Sequence, residues 1–172
     1  MPDSEMVIAF QGAPGANSDM ACRAVFPKMM TLPCHAFENA LEAVTSSVAK
    51  YAMIPIDNSV AGRVADIHHL MPKSGLYIIG EHFQRVNHNF LAVPGAKIQD
   101  VTHVHSHVHA LNQCRLLIRE LGIQPVIHAD TAGAARDIAG WGDKSQAALG
   151  SCLAAELYGL DVLRKKVEDA KH

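Results

Sequence analysis

Between Tyr51 and Gly62 the chain reads YAMIPIDNSVAG, an apolar run of strand length that turns abruptly polar. Pro55 forces Ile54 extended and removes a ladder donor, so a strand ends there. Asp57, Asn58 and Ser59 carry side-chain oxygens that accept from nearby backbone N–H groups, and from Arg63 onward Val64, Ile67 and Met71 recur at helical spacing. This puts a polar cluster at a strand-to-helix switch, where open α/β sheets bind ligands and helix N-termini offer N–H donors to anions. The same residues also make an ordinary capped turn, so the weight falls on whether other segments converge on the same chemistry.

Three further junctions carry small or hydroxyl residues in the same setting: Gly15 to Ser18, Ser106 to His109, and Asp130 to Gly133. Such junctions suit a small, multiply anionic ligand, because each helix N-terminus carries about half a positive charge. Arg63 and Arg115 either add charge there or lie solvated on helices. His103, His105, His107 and His109 alternate, and on a continuous strand they would share a face and could chelate a metal. A helix starting near Ser106 would instead turn His107 and His109 away and leave them as donors near Gln113. No metal site is therefore expected, and no Ser-His-Asp or Cys-His nucleophile can be assembled from the spacing.

A chain of 172 residues, 49% hydrophobic, suits one domain or two small lobes with a real core. Fifteen Lys and Arg against 17 Asp and Glu, with no basic block, argue against nucleic acid or anionic membrane as partners. The apolar runs fall short of a membrane span and the first residues are acidic, so a cytoplasmic protein is expected. Cys22, Cys34, Cys114 and Cys152 lie far apart, as reduced thiols packed like small apolar groups.

These residues need elements to hold them. Val7 to Phe10 reads as a strand, followed by the Gly-rich turn QGAPGANS and a helix capped by Ser18. That turn has no third glycine in register and no Lys, which argues against a nucleotide. A strand at Met30 to Cys34 leads to a helix over Phe37 to Val48. After the helix that ends near Ser74-Gly75, Leu76 to Ile79 reads as a strand, and the chain stays extended through Glu81, Phe83 and Val86 to Phe90–Val93, as a crossing between lobes. Strands at Val101 to Ser106, Pro125 to His128 and Ala147 to Leu149 then alternate with helices at Ala110 to Leu121, Thr131 to Ala139 and Cys152 to Tyr158. The alternation is that of α/β folds with mostly parallel sheets and crossover helices.

Taken in order, the motifs resemble the catalytic domain of prephenate dehydratase, which converts prephenate to phenylpyruvate in phenylalanine biosynthesis. The resemblance runs from Val7 to His172. It rests on GAPGANS, on Pro55-Ile56-Asp57-Asn58-Ser59 with Gly62, on Gly80-Glu81 with His88, and on Ser106, His107, Ala110, Leu111, Gln113 and Cys114. It continues through Thr131, Ala134-Ala135, Ala147-Ala148-Leu149 and Tyr158-Gly159-Leu160. It implies two α/β lobes of the periplasmic-binding-protein class, residues 1–80 with 161–172 returning to them and residues 81–160, around an inter-lobe cleft. Carried over by position, Asn58, Ser106, Gln113 and Thr131 are the expected catalytic residues. Gly15, Ala16, Asn17, Ser18, Asp57, Ser59, Gly62 and His107 are the expected substrate contacts. The resemblance implies no cofactor, and a homo-oligomer.

Two departures stand out. Asp57 occupies the place of a family Glu. The Thr-Arg-Phe motif, whose Thr is the family's general acid, and the phenylalanine-sensing ACT domain do not occur within the 172 residues. An impaired enzyme is therefore expected, with Val162-Leu163 beginning a first-lobe strand that leaves an edge open to pairing with another molecule. The alternative is a non-catalytic two-lobed binder of a small dicarboxylate or amino acid.

Overall fold

The computed structural model describes residues 4–170. The chain divides into two compact units, one containing the residues up to Ala13 with Asn17–Gln84, the other Pro14–Ala16 with the chain from Arg85 onward.

In the first unit, β1 (Val7–Gln11) lies between β2 (Met30–Cys34) and β3 (Tyr51–Met53), and both pairings are parallel. Ile8, Ala9 and Phe10 are completely buried, as the central strand of a sheet covered on both faces requires. The helices α1 (Asn17–Val25) and α2 (Phe37–Thr45) follow β1 and β2. Helix α2 stops short of the expected Val48. The Thr45 and Ser46 hydroxyls both donate to the Glu42 carbonyl, and Ser47 takes φ 59°, which ends the helical run.

The polar stretch after β3 departs from the expected helix cap. Asp57–Asn58 (β4) and Gly62–Arg63 (β5) pair antiparallel as a small hairpin, and α3 (Ala65–Ser74) begins only after Val64, which supplies no side-chain cap. The reason is local. Asn58 Oδ1 accepts from Val60 N (2.9 Å) and Ala61 N (2.8 Å), closing a turn before any helix can start.

The crossing strand expected over Leu76 to Val86 is also absent: among the described residues this stretch lies in no sheet. Tyr77 and Phe83 are 89% and 88% exposed, so its strand-like composition goes unused here.

The second unit is built on a five-stranded sheet, order β10-β6-β9-β7-β8. Strands β7 (His103–Ser106), β8 (Gln124–Ile127) and β9 (Gln146–Gly150) run parallel, while β6 (Asn89–Ala92) runs antiparallel to β9. The period-2 pattern divides the core. Phe90, Ala147 and Leu149 pack to one face with Val104 and Leu117; Leu91 and Ala148 pack to the other with Ala135, Ile138 and Ala154. Helices α6 (Thr131–Trp141) and α7 (Cys152–Tyr158) cover the second face. The fold is α/β with mostly parallel sheets.

Strand β10 (Asp161–Arg164) pairs antiparallel with β6. The chain from Asp161 therefore joins the second unit and not the first, contrary to the expected return, and the expected open edge of the first lobe loses its basis. The antiparallel register places Val162 beside Leu91, where it packs on the buried core of this unit.

The single helix expected over Ala110–Leu121 is two, α4 (Val108–Gln113) and α5 (Arg115–Leu121), broken at Cys114 (φ −124°, ψ 31°). The carboxylate of Asp169 accepts from the two N–H groups freed by the break, Arg115 N at 3.0 Å and Leu116 N at 3.1 Å. A cap of this kind is worth about 1–2 kcal/mol. Asp169→Ala is expected to lower unfolding free energy by about that amount, read as a shift in the urea midpoint; an unchanged midpoint would show that water caps α5 equally well.

Candidate active site

The expected site residues of the second unit gather along the carboxyl edge of its three parallel strands. Strand β7 ends at Ser106, β8 at Ile127 and β9 at Gly150, and each runs into a helix. His107 caps α4, its ring nitrogen accepting from His109 N at 3.3 Å. Asp130 caps α6, accepting from Gly133 N at 2.6 Å, and leaves Thr131 as the first helical residue. Ser151 caps α7, accepting from Ala154 N at 2.9 Å.

Ser106 is wholly buried and its hydroxyl donates to the Leu149 carbonyl at 2.8 Å, tying the ends of β7 and β9. Its proton is thus committed to the fold. Gln113, the last residue of α4, is half-buried, with Oε1 3.1 Å from His88 Nε2.

The Pro14–Ala16 loop belongs to this unit. Gly15 is buried with φ +88°, its carbonyl accepts from the Ser151 hydroxyl at 2.6 Å, and Tyr158 donates to the Pro14 carbonyl at 2.8 Å. A Cβ on Gly15 would sit 2.7 Å from Ala154 Cα, so only glycine fits. Gly15 therefore anchors the turn, and Ala16 follows half-buried.

The first unit holds the other expected residues. Asn17 and Ser18 open α1 half-buried, and Ser18 lies inside the helix, two positions too late to cap it. Asp57, Asn58 and Gly62 form the hairpin ladder, and Ser59 is exposed at its turn. Asp57 Oδ1 accepts from Asn58 N at 2.8 Å. With Asn58 Oδ1 taken by two N–H groups, its NH2 faces away from them as a donor.

The alternating histidines separate as their backbone changes from strand to helix. His105 pairs with Gln146 at 2.7 Å, His103 with the Thr102 hydroxyl at 2.8 Å, and His107 with His109 N. Among the described residues no three His, Cys, Asp or Glu side chains are placed to hold a metal. Arg115 donates to Asn112 Oδ1 at 2.8 Å, and Arg63 is exposed on β5. Cys22, Cys34 and Cys114 are buried, with burial pushing Cys22 and Cys114 up to about 12. Cys152, on the outer side of α7, is exposed, unlike the packed thiol expected. Two surface hollows, about 580 Å³ beside α4 and α5 and about 410 Å³ beside β2 and α2, contain none of the expected site residues.

Burial holds His88 below the usual histidine range against the opposing pull of Gln113 and Glu168, and burial with the nearby His109 does the same to His107. Both are depressed in the fold, so the unfolded chain takes up protons first. The contribution of these two groups to stability should be constant above about pH 6.5 and fall as pH drops from there toward the folded values. His88→Gln should flatten that fall in a series of thermal melts; an equally steep fall in the variant would place its origin elsewhere.

The family model described as prephenate dehydratase matches residues 8–172. The chain belongs to the prephenate dehydratase family. It is 51% identical over 170 residues to the bifunctional N-acyl-homoserine lactone acylase/prephenate dehydratase of Komagataeibacter europaeus, covering 99% of this chain and 60% of that protein. It is 41% identical over 167 residues to arogenate dehydratase/prephenate dehydratase 1, chloroplastic, of Arabidopsis thaliana, covering 97% and 43%. Among solved structures, prephenate dehydratase from Arthrobacter aurescens in complex with L-Phe superposes with a TM-score of 0.88 at 29% identity, covering 95% of this chain and 56% of that one. The chain thus spans about 60% or less of these relatives' lengths.

Family membership gives weight to the segments that carried the resemblance, yet several residues with evident roles had no local signal. Ser151 stands before an apolar helix as a cap should, but its bond to Gly15 spans 136 positions. Likewise Glu168 Oε2 accepts from His88 N at 3.0 Å across 80 positions. Only the folded backbone brings these together.

Proposed function

We propose that this chain acts as a prephenate dehydratase, converting prephenate to phenylpyruvate, carbon dioxide and water. The observation that carries the reading is the family match over residues 8–172. The reaction needs little from the protein beyond positioning and one proton. Prephenate is a dianion; as its ring carboxylate leaves as CO₂, the freed electron pair aromatises the ring and expels the hydroxyl, which takes up a proton to leave as water. Donors that hold carboxylates and a positioned acid are therefore the parts required, and neither an electron acceptor nor a second substrate enters the balance.

The donors follow from the carboxamides. Asn58 has its oxygen occupied by backbone N–H groups, so its NH2 is the end left for an anion. Gln113, whose oxygen lies against His88, acts in the same sense in this reading, and Thr131 contributes the hydroxyl at the start of α6. Ser106 holds the end of β7 through its bond to Leu149.

The Thr-Arg-Phe motif to which the resemblance assigns the general acid does not occur within these 172 residues. A positioned general acid is worth about 10²–10⁴ in rate. This chain should bind prephenate, and a chain that also carries the motif should form phenylpyruvate, followed by ultraviolet absorbance, faster by about that factor than the same chain with the motif's Thr replaced by Ala. Binding without turnover in either chain would favour a non-catalytic module for a small dicarboxylate or amino acid. Parallel reactions with arogenate and an N-acyl-homoserine lactone test the other activities in the relatives' names, and faster turnover of either would displace prephenate as the substrate.

A further inference from the structure

Gln113 is held from several directions by groups outside its helix. Its Oε1 lies 3.1 Å from Nε2 of His88, a ring that is 5% exposed. Its backbone carbonyl accepts from Asp169 N at 2.7 Å. The backbone of His88 is itself fixed on both sides, its N–H donating to Glu168 Oε2 at 3.0 Å and its carbonyl accepting from Val167 N at 2.8 Å. Three consecutive residues, Val167 to Asp169, thus bridge the two partners. A buried ring held this firmly restricts an amide that would otherwise turn over freely about its last bond.

We infer that His88 is a positioning residue, which as the neutral Nε2–H tautomer donates to Gln113 Oε1 and so presents the Gln113 NH2, and not its carbonyl, to an anionic ligand. The inference rests on the proposed dianionic substrate only for the last clause; the tautomer and the orientation of the amide belong to the ligand-free chain. Chemistry requires this sense. An amide oxygen facing a carboxylate would repel it, whereas an NH2 donates a charge-assisted bond. The burial that keeps the imidazole uncharged acts in the same direction, against the opposing pull of the Gln113 bond and of Glu168, whose carboxylate lies against the His88 backbone. Asn58 presents its NH2 by the same device, with backbone N–H groups in place of an imidazole.

The test has two arms. In the ligand-free 172-residue chain, ¹⁵N-detected NMR should find His88 as the Nε2–H tautomer at neutral pH, with a slowly exchanging ring proton that becomes fast in Gln113→Ala. A Nδ1–H tautomer would overturn the inference, since Nε2 would then accept from the amide and turn its oxygen outward. In the second arm prephenate binding is measured by calorimetry. His88→Ala should weaken it about tenfold, His88→Gln should restore most of the loss, and His88→Ala should add nothing in a Gln113→Ala background. Additive losses would show that His88 acts by another route. An unsubstituted chain that binds no prephenate would remove the proposed substrate, and the NMR result would still decide the tautomer.

Discussion

Gln113→Ala is expected to weaken prephenate binding by about ten- to hundredfold, the ~1–3 kcal/mol carried by a hydrogen bond from a held donor to a carboxylate. The cost to the fold should be smaller. Gln113 is half-buried and its internal side-chain bond is to His88, so about 1 kcal/mol of stability is at stake. Calorimetric titration and a urea melt on the same preparation separate the two. Asn58→Ala should behave differently, because the Asn58 oxygen closes the turn through Val60 N and Ala61 N, and its loss should loosen the hairpin as well as any ligand contact. If Gln113→Ala unfolds the chain, or leaves affinity unchanged, Gln113 is a structural cap.

Gly15→Ala should be the most damaging single methyl group in the second unit. The added Cβ would meet Ala154 Cα at 2.7 Å, well inside van der Waals contact, at a backbone φ of +88° that L-residues rarely adopt. Relief requires the loop to lift from α7, and the bond from Ser151 to the Gly15 carbonyl would stretch or break. Strain, clash and a lost buried hydrogen bond together place the cost at roughly 2–4 kcal/mol, among the larger effects of point substitution. Thermal unfolding measures it directly. A variant melting within a degree or two of the parent would mean that the loop moves freely and that Gly15 is not its anchor.

The two predictions differ in how far the sequence alone could have made them. Gln113 stood in a recognisable segment with Ser106, His107 and Cys114, and its place on the helix after β7 follows from the strand-helix alternation. The glycine-rich turn after β1 was equally plain, but the residue that makes Gly15 indispensable is Ala154, on a helix far along the chain. Elements whose apolar period is satisfied locally or by neighbouring strands, such as β1, β6, β7, β9 and α6, follow from the pattern of residues. Those decided by a distant partner do not.

Cys114 shows the limit well. Ala110 to Leu121 keeps an unbroken apolar face, and nothing nearby announces that Asp169 will accept from Arg115 N and Leu116 N and stabilise a break. The hairpin at Asp57–Arg63 was hidden for the opposite reason: the turn chemistry of Asn58 was visible, but two-residue strands are too short to leave a period. Leu76 to Val86 has the composition of a strand, but a strand exists only with a partner to share its ladder, and no partner occurs among the described residues.

Titration of prephenate into the 172-residue chain, followed by heat, tests the account most directly. Binding in the micromolar to millimolar range that is lost or strongly weakened in Gln113→Ala is the predicted result. A folded chain that takes up no prephenate, or binds it equally well without the Gln113 amide, would contradict it.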